Sequence, residues 1–168
     1  MKENDLKACV SGSFDKFKPE IDLAIDELND FGVTVLSPGK GWLYKPSQKI
    51  FNPLEDKFRP LPSETGMKIK EIEDDFLSSV KKSDFLYVIN PQGYIGNVVS
   101  LEIGFAIASG VPVFLQQKIN PLVIENNSIW QEIEPKLKVC SIEKAIAQIR
   151  KLSLKEFPYI IYQPLQII

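Results

Sequence analysis

The chain has 168 residues, 44% of them hydrophobic and 25% charged, with a formal net charge of −2 and no histidine. That length suits a single core; the near-neutral charge gives no broad attraction to nucleic acid; and the missing histidine removes Ser-His and Cys-His nucleophile pairs along with the commonest zinc ligand. There is neither a signal-type stretch nor an apolar run of the ~18 to 20 residues that cross a bilayer, so a cytoplasmic protein without membrane partners is expected, its acid–base chemistry falling to carboxylates, Tyr or Lys.

Residues 7–13 (KACVSGS) read as a buried first strand entering a glycine-containing turn. Ile21, Ala24, Ile25 and Leu28 give helical spacing over 19–29, and 30–32 (DFG) close that helix. A short β-branched strand over 33–36 (VTVL) ends at Ser37-Pro38-Gly39. Residues 40–65 carry Pro46, Pro53, Pro60 and Pro62 among Trp42, Tyr44, Phe51 and Phe58 without periodicity. This is an ordered insertion, either a lid over a site or a segment packed on the domain or a second subunit.

Helical spacing returns over 67–82 through Ile69, Ile72, Phe76, Leu77 and Val80, with Glu71, Glu73, Asp74 and Asp75 clustered alongside. A strand over 84–90 (DFLYVIN) leads through a loop at 91–96 into a helix over 97–109, closed by Gly110. Residues 111–115 (VPVFL) form a fourth strand and 137–140 a short fifth one, before a last helix beginning near Ser141. Cys9 and Cys140 sit in apolar strand-like segments without metal-ligand spacing and read as reduced thiols; no metal site or cofactor is expected. Alternating strands and helices predict a single-domain α/β sandwich over residues 1–168, doubly wound in the Rossmann-like or flavodoxin-like manner, with a mostly parallel five-stranded sheet. An apolar tail occupies 154–168, either packing on a partner subunit or adding a strand.

In such sheets the ligand crevice lies beyond the carboxyl ends of the strands, where the strand order reverses. This selects the loops at 11–14, 37–40 and 90–97 and the segment after Leu115. Gly93, Tyr94, Gly96 and Asn97 feed directly into the helix whose first turns hold Ser100 and Glu102. Backbone N–H groups there would face a phosphate or sugar oxygen, unless the loop is a plain tight turn capped by Asn97. Glu102 stands in an otherwise apolar run, VVSLEIGFA over 98–106. On the sheet-facing side a glutamate is costly unless it is paired or used; the alternative is a solvent-facing position at the helix edge.

The run NPQGYIGNVVSLEIGFAIASGVPVF over 90–114 resembles the signature of the nucleoside 2-deoxyribosyltransferase-like superfamily, which includes nucleotide N-glycosidases. Ser11, Gly12, Ser13 and Phe14 resemble its first-strand loop, which lies at the sugar or phosphate. The position six before the glutamate, Asp or Ser in that family, is Gly96 here. The resemblance implies cleavage or transfer at the N-glycosidic bond of a nucleoside or nucleoside 5'-monophosphate. Glu102 would attack C1', and Asp75, or Asp74 in another helix register, would protonate the departing base unless both are solvated helix charges. It also implies a homo-oligomer. The alternative is a catalytically silent nucleotide-binding sensor of the same fold.

Overall fold

The segments rich in β-branched and aromatic residues form strands β1 (Lys7–Gly12), β2 (Thr34–Ser37), β3 (Phe85–Ile89), β4 (Val113–Leu115) and β5 (Lys138–Val139). They form one sheet in the order β2-β1-β3-β4-β5, with every neighbour parallel. Parallel neighbours require crossovers, and helices provide them. The computed structural model describes residues 5–39, 68–125 and 127–156. The insertion expected at 40–65 and residues 157–168 of the apolar tail lie outside the described residues, while 154–156 belong to the final helix.

Successive strand residues point to opposite faces, and this alternation builds two cores. On one face Ala8, Val10, Phe85, Tyr87, Ile89 and Phe114 pack against α1 (Phe14–Asp30) and α6 (Ile142–Glu156). On the other, Cys9, Leu86, Val88, Val113 and Leu115 meet α2 (Ile69–Lys82), α3 (Asn97–Ala108) and Trp130 of α5 (Ser128–Ile133). Leu28, Phe85 and Ile103 are wholly buried, and each side chain of this kind contributes roughly 1.5–3 kcal/mol relative to exposure. The fold is the doubly wound, Rossmann-like or flavodoxin-like α/β sandwich that the strand pattern predicts.

Two details differ from the sequence reading. Helix α1 begins at Phe14 rather than Pro19, and Phe17 departs from helical geometry at φ −127°, ψ 31°. Pro19 has no N–H and its ring crowds the preceding turn, so the chain kinks just ahead of it and then continues as helix. The stretch after Leu115 also folds, into α4 (Pro121–Glu125) and α5. The Asn127 side chain caps α5 by accepting from the Ile129 and Trp130 N–H groups. Among the described residues no helix is long and apolar enough to cross a membrane.

Candidate functional site

The chain leaves β1 toward β2 on one side and β3 toward β4 on the other, so the strand order reverses between β1 and β3 and a crevice opens at their carboxyl ends. Ser11 alternates with Val10 and therefore faces the α2/α3 side. On α3 the buried positions are Val99, Glu102, Ile103 and Ala106, the i, i+3, i+4, i+7 stripe of a core-facing helix. Glu102 occupies one of those core positions and is 4% exposed. The Ser11 hydroxyl donates to Glu102 Oε2.

Burial pushes the Glu102 carboxyl up to about 8; the Ser11 hydrogen bond opposes that shift and the charge of Glu73 adds to it. Glu73 is also raised, chiefly by its own burial and then by Asp74. Its Oε1 is buried with no hydrogen-bond partner among the described residues, a state that costs about 1–3 kcal/mol and more for a charged group. A carboxyl group of this kind favours the protonated form.

Both carboxylates line one cavity of about 320 Å³, walled by Phe14, Phe76 and Tyr94 and closed by residues of the β1, β2 and β3 loops. Tyr94 is braced edge-on by Phe17 at 5.9 Å between ring centroids. The Lys16 ammonium lies 4.3 Å above the same ring. Lys16 and Asp15 stand at the exposed rim, where Ser13 Oγ donates to Asp15 at 3.2 Å.

Of the residues expected at the site, Gly12, Ser13, Phe14, Tyr94, Gly96, Asn97 and Glu102 line the cavity. Ser11 stands behind Glu102 as its hydrogen-bond donor. Ser100 does not line the cavity; its hydroxyl bonds back to the Gly96 carbonyl at 2.9 Å. Gly93 is also off the wall, and its role is in the backbone. At φ +72° it lets the loop approach residues 118–120 so closely that a Cβ would stand 2.5 Å from Asn120 N and from Lys118 O. Asn90 and Gln117 lock the same junction with paired bonds of 2.8 and 2.9 Å. This brace aims Tyr94 and Gly96 at the cavity.

The second carboxyl group departs from the expectation. Asp75 is exposed and off the wall, and Asp74 is exposed and ion-paired with Lys70. Ile72, Phe76 and Val80 fix the buried side of α2. At about 100° per residue, Glu73 falls at the edge of that stripe, Asp74 nearly opposite it and Asp75 about 100° from its centre, outside it on the other flank. The spacing to Phe76 and Val80 carried the signal for Glu73. Ser37 and Pro38, in the loop at 37–40 selected from the strand order, line the wall as well, whereas nothing in the local sequence marked Lys16 and Ile72, which reach it because β1, β2 and α2 converge there. Among the described residues no group of three His, Cys, Asp or Glu side chains is placed to hold a metal ion.

No protein-family model matches the chain, and no curated protein matches it. Among solved structures it is similar to a conserved protein from Enterococcus faecalis V583, with 17% identity and a TM-score of 0.54 over 89% of this chain and 99% of that one. This likeness extends to the fold.

Proposed function

We propose that the protein cleaves or transfers at the N-glycosidic bond of a nucleoside or nucleoside 5'-monophosphate, with Glu102 as nucleophile. The observation that carries this reading is the presence of two carboxyl groups, Glu102 and Glu73, in one aromatic-walled cavity at the carboxyl ends of β1 and β3. The resemblance of the 90–114 run to the deoxyribosyltransferase-like superfamily points the same way.

With Oε2 held by Ser11, Oε1 of Glu102 is the oxygen that attacks C1'. The C–N bond breaks as the ester forms, and the bond's electron pair leaves with the base, which takes a proton from Glu73. Water then hydrolyses the ester, or a second base displaces it. The attack requires the anionic form of Glu102, which is favoured once a ring bearing positive charge lies beside it. Phe14 and Tyr94 provide faces for stacking the base. Val98 and Leu101, 56% and 55% exposed on α3, form an apolar surface suited to burial against a second copy.

The test is chromatography of ribo- and deoxyribonucleosides and their 5'-monophosphates after incubation with wild type and Glu102→Ala, with and without a second free base. Base release that disappears in the variant is the expected result, and exchange with the added base identifies a transferase. Release that persists in the variant removes Glu102 from the chemistry; no release by wild type across the panel removes the reading.

A further inference from the structure

Helix α3 is apolar on the side turned away from the sheet. Val98 and Leu101 are 56% and 55% exposed, and the half-buried Phe105 and the exposed Ala108 continue the same face. Steps of three, four and three residues are those of a seam between two helices. Gly104 lies on the flank of this seam, where an added Cβ would meet nothing within 4 Å. The one charged residue of α3, Glu102, is buried on the core-facing stripe.

Neighbouring helices show how an outer face built for water differs. On α2 the exposed positions include Lys70, Asp74 and Asp75, and on α6 they include Glu143, Lys144 and Arg150. A single exposed leucine is ordinary, whereas a helix that is apolar on every side is normally covered. A second copy of the chain is the occupant that an uncharged stripe fits. In a two-fold pair the same patch lies on both partners, so side chains near the axis meet their own kind and a charge there meets its like. In a chain of which 25% is charged, the twelve residues of α3 place no charge on this face.

We propose that two copies of the chain pack α3 against α3 across a two-fold axis, with the partner standing at the rim of the cavity. The link between interface and cavity is the first turn of α3: Asn97 and Val98 are exposed and also line the cavity wall. On that side the crevice then faces the partner subunit and not bulk water. The pairing is independent of the glycosidic chemistry proposed above, and its test needs no substrate.

Sedimentation equilibrium of the full chain over about 1–100 μM decides the association. Wild type is expected at twice the chain mass of 19.0 kDa. Leu101→Glu and Ala108→Lys each bring a charge against the partner and should raise the dimer dissociation constant at least about 100-fold. Both positions are exposed in the single chain, so both variants should keep the wild-type circular dichroism, and if one fails to fold the other decides. A wild type that stays monomeric overturns the inference and leaves the stripe to a segment of this chain or to another protein. A dimer that a folded variant leaves intact overturns it as well, because the contact then lies on another face. Hydrogen exchange tests the link to the cavity. The Asn97 and Val98 amides, in the first turn of α3, have no helical acceptor and should exchange at least about 5-fold more slowly in wild type than in the monomeric variant. Equal rates would overturn the placement of the partner at the cavity rim.

Discussion

Ser11 and Glu102, 91 positions apart in the chain, meet through a buried hydrogen bond from the serine hydroxyl to the glutamate carboxylate. One comes from the carboxyl end of β1 and the other from the core-facing stripe of α3. The bond favours the ionised carboxyl, against the burial that raises it to about 8. Ser11 is therefore a positioning residue whose effect is read in a pH profile.

In wild type, kcat/KM is expected to be bell-shaped, because it reports the free enzyme and the reactive form holds one proton on the pair, on Glu73 with Glu102 anionic; the alkaline limb bends down at about pH 8, where that proton is lost. Ser11→Ala removes the hydrogen bond, so the bend moves upward by about one unit and activity at pH 7 falls roughly 10-fold. Steady-state rates between pH 5 and 10 check both. A plateau with no alkaline limb would mean that the reaction needs no proton on Glu73.

Much of this site was legible in the chain, for a local reason. Glu102 announces itself because it breaks an apolar helical run, and the glycine-bearing loop before it lies where parallel sheets open. The second carboxyl group was not fixed in the same way. Residues 71, 73, 74 and 75 are all acidic, so no single one interrupts a pattern, and the choice depends on how α2 rotates against the sheet. The hydrophobic residues Ile72, Phe76 and Val80 fix that rotation and bring Glu73 to the wall. The rim residues Asp15 and Lys16 were hidden because α1 begins earlier than its apolar spacing does, with the kink at Phe17 absorbing Pro19. The helices after Leu115 are too short for periodicity to declare them.

Glu102 also makes stability depend on pH. Between its ordinary 4.5 and its folded value of about 8 the folded chain holds a proton that the unfolded chain has released. Stability is therefore lost as pH rises through that window, by on the order of a few kcal/mol for a group so fully buried. Glu102→Gln removes the ionisation, so it should flatten this slope and be more stable than wild type at pH 8 while matching it more closely at pH 5. Urea denaturation at the two pH values measures it; equal slopes for both proteins would contradict the buried, raised carboxyl.

Glu73 and Asp75 are separated by a paired comparison. Glu73→Gln cannot supply the proton to the base and is expected to slow base release by about 100-fold or more. Asp75→Asn, on the exposed side of α2, should stay within about twofold of wild type. Substrates whose bases leave poorly should suffer most in Glu73→Gln. If Asp75→Asn is the more damaging change, the register of α2 against the cavity is other than described.

The last comparison concerns two glycines of one loop. Gly93 sits at φ +72°, and a Cβ there would approach Asn120 N and Lys118 O to 2.5 Å. Both are backbone atoms, held by the Asn90–Gln117 pairing, so they cannot swing aside as a side chain would. Gly93→Ala must therefore carry left-handed strain and also push the two loops apart, a loss of roughly 1–3 kcal/mol or more. Gly96 lies in extended backbone at φ −84°, ψ 170°, and its nearest neighbour to an added Cβ is the Tyr94 hydroxyl at an ordinary 3.5 Å. Gly96→Ala, at the N-cap of α3 where glycine is favoured over alanine, should cost about 0.5–1 kcal/mol, less than Gly93→Ala, and also change the fit of substrate beside Tyr94. Thermal unfolding of the two variants, with KM measured alongside, distinguishes a glycine that holds the loop together from one that makes room in the cavity. A Gly93→Ala protein as stable as wild type would mean that the close junction between the loops after β3 and β4 is not what positions Tyr94.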